Sequence, residues 1–148
     1  MNIANYQPEK LFTIEEANAT LPLVRAIMGD LTTLARDVHE RRQRLEHLLD
    51  GRDAKVADPY SDELRQMQEE LEADIERLRG YLEEIRDLGA EPKGLEDGLV
   101  DFPSLMEGRI VYLCWKFDEP EILHWHELEA GFTGRQPLPV EMSVDAGE

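Results

Sequence analysis

The sequence predicts an α+β protein: a long antiparallel helical hairpin over residues 13–89, then a small C-terminal antiparallel β-meander over residues 95–128. Three observations predict it. Two long runs carry apolar residues at steps of three and four, the spacing of one helix face. A short polar connection, residues 51–60, separates them, which favours folding the second helix back on the first. After Pro92 the periodicity changes, and β-branched and aromatic residues gather in short runs divided by turn pairs.

In chain order, residues 1–12 read as a loose arm. Thr13 and Glu16 form a capping box, since the Thr13 hydroxyl can accept from the Glu16 amide while the Glu16 carboxylate reaches back. A helix is expected to start there. Pro22 lacks an amide hydrogen and predicts a kink or restart near Thr20–Pro22. Val24, Ile27, Leu31, Leu34, Val38, Leu45 and Leu48 then form a coiled-coil-like stripe, with Arg41 in a slot where an apolar residue is due. Gly51 is the expected stop. Ser61 is the expected cap of the second helix, whose stripe is Leu64, Met67, Leu71, Ile75, Leu78, Leu82 and Ile85, ended by Gly89 and Pro92. Arg36, Arg41, Arg42 and Arg44 would lie at the height of Glu69, Glu70, Glu72, Asp74 and Glu76 in an antiparallel pair, which helps register more than stability.

Asp97-Gly98 and Glu107-Gly108 read as turns around a short strand, Leu99 to Phe102, ended by Pro103. Ile110 to Phe117 reads as the next strand and Glu121 to Glu127 as its return, joined by Asp118-Glu119-Pro120. This makes three strands, which need cover on one face to be stable. Residues 136–148 read as a flexible tail, and the 148 residues as one domain.

Composition narrows the function classes. With 16 Lys+Arg against 33 Asp+Glu the net charge is −17, which repels nucleic acid and anionic membrane surfaces. A single cysteine excludes an internal disulfide framework and suits a reducing compartment. The N-terminal residues lack the pattern of a signal peptide, and Ile110–Trp115, the longest apolar run, is too short to span a bilayer. A cytoplasmic location is expected.

Chemistry-bearing residues gather between Ile110 and Arg135. Strand side chains alternate faces. If Phe117 lies opposite Glu121, then Trp115 meets Leu123 and Leu113 meets Trp125 on an apolar, core-facing side. Cys114 then meets His124 and Tyr112 meets His126 on the other. A His-x-His pair beside a cysteine offers donors for a divalent metal ion, with Asp101 and Glu127 as further ligands if the strand bends after His126. The competing reading is an aromatic and histidine surface that packs or dimerises. Gly131, Gly134 and Arg135 form a second candidate: backbone amides and a guanidinium that could hold a small anion, or a tight turn whose arginine pairs with a nearby carboxylate.

The segments FTIEEANATLPLV at 12–24, GLVDFPSLMEGRIVYLCWKFDEPEI at 98–122 and WHELEAGFTGR at 125–135 resemble an uncharacterised bacterial family, domain of unknown function 2203. The resemblance implies a helical hairpin followed by a small β-region, and no established activity. Its pattern lacks the position of His124 and directs attention to His126 with Glu119, Glu121, Asp101 and Arg135, as an acid/base centre or a structural hydrogen-bonded network. The leading functional expectation is a non-enzymatic binding or regulatory module that self-associates through its hairpin or takes a protein partner. A metal-binding protein or metal-dependent hydrolase, and a small-anion binder, are the alternatives.

Overall fold

A computed structural model describes residues 7–50 and 59–139. Helix α1 spans Ile14–Leu49 and α2 spans Pro59–Asp87. Five strands follow: β1 Glu91–Gly94, β2 Leu99–Met106, β3 Arg109–Lys116, β4 His124–His126 and β5 Gln136–Pro137. They form one antiparallel sheet in sequence order. Among the described residues no helix is long and apolar enough to cross a membrane.

The expected capping box is present at the start of α1, with Thr13 Oγ1 accepting from the Glu16 amide at 3.0 Å and Glu16 accepting from the Thr13 amide at 2.9 Å. The helix runs through Pro22 without the expected restart. Pro22 is exposed, whereas Leu21 and Val24 beside it are buried against the sheet, and that packing offsets the lost backbone bond. Phe12, expected in a loose arm, is buried edge-on against Phe102, and its amide donates to the Pro103 carbonyl at 2.7 Å. The second helix starts at Pro59, earlier than the Ser61 cap expected, because a proline in the first turn loses no intrahelical bond. Gly51 and the rest of the connection up to Asp58 lie outside the described residues.

Two cores result. Ala17, Leu21, Val24, Met28 and Leu31 of α1, with Ile85 of α2, pack on the sheet face made by Val100, Phe102, Val111, Leu113, Trp115 and Trp125. Farther along the hairpin Leu34, Val38, Leu45, Leu64 and Leu71 are buried in a second cluster between the two helices. Arg41 fills its slot half-buried by donating to Asp74 at 2.5 Å across the hairpin, the contact that joins the basic and acidic zones.

The sheet is larger than three strands. Pro92, expected only to confirm the helix stop after Gly89, lies in a further strand: Glu91–Gly94 pairs with β2 as an edge strand, where a proline is tolerated, with Lys93 in a register break between Pro92 and Gly94. Strand β2 continues through Pro103 to Met106. A strand residue's nitrogen and carbonyl point to one side, and the Pro103 carbonyl takes the Phe12 amide. The imino nitrogen therefore faces the outer edge beyond β1 and costs no ladder bond. The Glu107-Gly108 turn has φ of 50° and 80°, the left-handed pair a two-residue hairpin needs. Gly98, at φ 74°, lies so close to Phe117 that an added Cβ would sit 2.5 Å from the Phe117 Cβ.

The return strand is shorter than Glu121–Glu127. The segment before His124 leaves β3 for α1, where the Ile122 amide donates to Asn18 Oδ1 at 2.8 Å and Arg25 donates to the Glu119 and Pro120 carbonyls. Phe117 and Leu123, expected in the core, are consequently 36% and 40% exposed. Gln136 and Pro137, expected within the flexible tail, pair with Trp125 and His124. Residues 140–148 lie outside the described residues.

Candidate functional site

The register between β3 and β4 is the one the alternating pattern predicts: Tyr112 with His126, Leu113 with Trp125, Cys114 with His124. Asp101 of β2 lies opposite Cys114 on its other side. One face of the sheet thus carries Asp101, Cys114 and Tyr112 together with His124 and His126, while Leu113, Trp115 and Trp125 face the helices. The outer face of a sheet packed on helices is ordinarily polar and wet. Here Asp101, Cys114, Tyr112 and His126 are all buried. They line a cleft of about 190 Å³ together with Leu128, Glu129, Gly131 and Phe132.

Asp101, Cys114 and His126 converge, each offering a potential ligand atom within 4.8 Å of the other two. His126 Nδ1 lies 2.7 Å from the Glu127 carbonyl, which can only accept, so Nδ1 carries a hydrogen. Nε2 lies 3.0 Å from Asp101 Oδ1. A neutral imidazole with its hydrogen on Nδ1 would oppose one lone pair to another at that distance. A proton or a metal ion between Nε2 and Oδ1 resolves the conflict. Burial works to lower the His126 pKa. The Asp101 hydrogen bond, the Glu127 carbonyl and the Asp101 charge together outweigh it, against opposition from Lys93, and the imidazole pKa rises above its ordinary value. Burial, then the Asp101 charge, pushes the Cys114 thiol up to about 12.

These shifts give His126 and Cys114 a defined contribution to the pH dependence of the metal-free protein. The raised His126 pKa contributes stability that is complete below the unfolded value, about 6.5, and is lost as pH rises through the folded value. The thiol acts in the same direction at higher pH. An unfolded Cys114 ionises near 9.0 while the folded one keeps its proton to about 12, so stability falls across that interval. Urea midpoints measured from pH 6 to pH 10 should decline, and Cys114→Ser should flatten the decline above pH 9. A midpoint that rises across the range would contradict the shared proton.

The remaining candidates divide away from this cluster. His124 shares the face, but its Nδ1 accepts from Arg135 at 2.5 Å, and since a guanidinium only donates, the neutral ring's hydrogen is on Nε2. Neither nitrogen of His124 then offers a lone pair to the cluster. The Glu127 side chain pairs with Arg109. Arg135 also donates to both carboxylate oxygens of Glu119, at 2.7 and 2.6 Å, and Glu119 accepts from the Lys116 amide at 2.7 Å. The Gly134 amide is used within its own turn, on the Gly131 carbonyl, as the Arg135 amide is on Phe132. The Arg135 Nε hydrogen is buried without a partner among the described residues. The constellation of His126 with Glu119, Glu121, Asp101 and Arg135 is therefore two networks, His126–Asp101 and Arg135–Glu119–His124, with Cys114 between them and Glu121 exposed.

Lys93 lines the cleft and was not among the residues singled out from the sequence, whereas Tyr112 lies opposite His126 as alternation predicts. Lys93 was hidden by the breaker residues on either side of it.

Residues 10–138 match the family described as uncharacterized conserved protein, domain of unknown function 2203, and the chain belongs to that family. No curated protein and no solved structure matches the chain.

Proposed function

We propose that this member of the family binds a divalent transition-metal ion through Asp101, Cys114 and His126. The observation that carries the reading is the convergence of three buried donors of different kinds within 4.8 Å in the lining of a cleft. Donors around a tetrahedral ion are about 3.5 Å apart, so small side-chain rotations close the set. A bound cation would offset the burial of the Asp101 carboxylate and of a thiolate that is otherwise held protonated. The Nδ1–H bond to the Glu127 carbonyl already fixes the imidazole with Nε2 toward the donors, as the outer hydrogen bond of a metal-bound histidine does. Mixed sulfur, nitrogen and oxygen donation suits zinc or ferrous iron better than magnesium or calcium. Three protein ligands would leave a four-coordinate ion one further position for water or a substrate.

Zinc titration in the presence of a competing chelating dye tests this. Uptake at neutral pH should release about two protons, one from the thiol and one shared by His126 and Asp101, read by calorimetry in buffers of different ionisation enthalpy. Uptake without proton release would place the ion elsewhere.

Self-association through the hairpin is the second reading. Most of the stripe is closed between the helices, which leaves Leu48, Met67 and Ile75, half-buried at its margin, with exposed Leu49 and Tyr60 near the hairpin's end. A monomeric mass by sedimentation across micromolar concentrations would end that reading.

A further inference from the structure

A second cleft, of about 420 Å³, adjoins the first: Lys93 and Tyr112 line both. Its wall also carries Lys10 and Arg86, with Glu9 and Glu91 as the opposing charges. On a chain of net charge −17 this is an unusual place for three cations to meet. Arg86 is paired with Glu91 at 3.3 Å. Among the described residues neither lysine forms an ion pair with a carboxylate, although the Lys10 charge acts on the Glu16 carboxylate at the start of α1. Lys10 Nζ lies 4.6 Å from the centre of the Phe12 ring, and Lys93 Nζ 5.3 Å from that of Tyr112. A ring face attracts an ammonium without cancelling its charge, so Lys93 keeps its charge for a ligand, with Lys10, shared with Glu16, beside it.

The backbone places Lys93 there. It occupies the register break between Pro92 and Gly94, and such breaks commonly re-aim a side chain beside a site. From Lys93 the path inward is short. The Tyr112 ring lies 5.5 Å from the His126 ring, and the Lys93 charge acts on the His126 imidazole. The two volumes together are of the size that small-molecule sites occupy.

We infer that the joined clefts take a small molecule bearing an oxyanion, a phosphate ester or a carboxylate, with its anionic group on Lys93 and Lys10 and its other end toward Asp101, Cys114 and His126. The inner end rests on the metal reading; the lysine end does not. An anion near Lys93 would meet clustered cations on a chain that is otherwise strongly acidic, which favours binding there.

Calorimetric titration of the full chain with inorganic phosphate and with succinate, metal-free and zinc-loaded, tests the inference. The wild type should bind at least one probe at millimolar concentration or below. Lys93→Ala should weaken it about tenfold and Lys10→Ala by less, while Lys93→Arg stays within about threefold and Lys116→Ala, outside the clefts, is unchanged. Preference for phosphate or succinate identifies the oxyanion. Lys93-dependent binding without any metal uptake would support this inference and remove the metal reading. Metal uptake with no binding of either probe up to about 10 mM, or binding indifferent to Lys93→Ala, would overturn this inference and leave the metal reading standing.

Discussion

Asp101→Ala should destabilise the metal-free protein by about 3–5 kcal/mol, the usual cost of removing one partner from a buried charged pair. The side chains of His126 and Asp101 are only 2% and 4% exposed, so the stranded imidazole has little water to turn to. Asp101→Asn should behave differently. With the His126 hydrogen on Nδ1, the asparagine amide can donate to Nε2, which replaces a shared proton by an ordinary hydrogen bond at a cost of about 1 kcal/mol. Urea unfolding of the two variants reads the difference. Equal losses would mean that Asp101 and His126 do not depend on one another. The asparagine variant is also the useful one for the metal question, because it keeps the fold and removes a ligand.

Trp115→Ala should cost about 3–5 kcal/mol as well, through a different cause. The side chain is fully buried under α1, with the Arg25 guanidinium 5.6 Å from the ring centre and the Phe117 ring edge-on at 6.1 Å. Its Nε1 donates to the Glu119 carbonyl at 3.0 Å. Losing it opens a cavity and frees the loop whose Glu119 carboxylate holds Arg135. The melting temperature should fall by about 10 °C. Trp115→Phe, which keeps most of the packing and loses the hydrogen bond, should cost much less. A similar loss in both variants would assign the effect to the bond instead of the buried volume.

Much of the fold was legible because it rests on local rules. The Thr13–Glu16 box, the helix stripes, the Glu107-Gly108 turn and the Cys114–His124 register follow from spacing and alternation, which a chain cannot hide. What was not legible depended on partners distant in sequence. Pro92 read as the confirmation of a helix stop and Pro103 as the end of a strand, yet both sit within strands, because one lies in an edge strand and the other turns its nitrogen to an outer edge. Leu123 read as core, and is drawn out of the ladder because Asn18 and Arg25 of α1 capture the loop before it. The site shows the same division. That Cys114 and His126 share one sheet face was legible from alternation, and Asp101 beside them was offered from the neighbouring strand and the family pattern. The removal of His124 by Arg135 was not legible, since it depends on where a turn eleven residues later returns its guanidinium.

Metal binding by Asp101, Cys114 and His126 can be read on the purified protein itself. Elemental mass spectrometry of untagged protein, purified without chelators, tests it most directly, with Asp101→Asn and Cys114→Ser prepared in parallel. The account predicts near one equivalent of zinc or iron in the wild type, strongly reduced in both variants while their secondary structure is retained. No metal in the wild type after exposure to zinc and ferrous iron, or equal metal in the wild type and in folded variants, would contradict it.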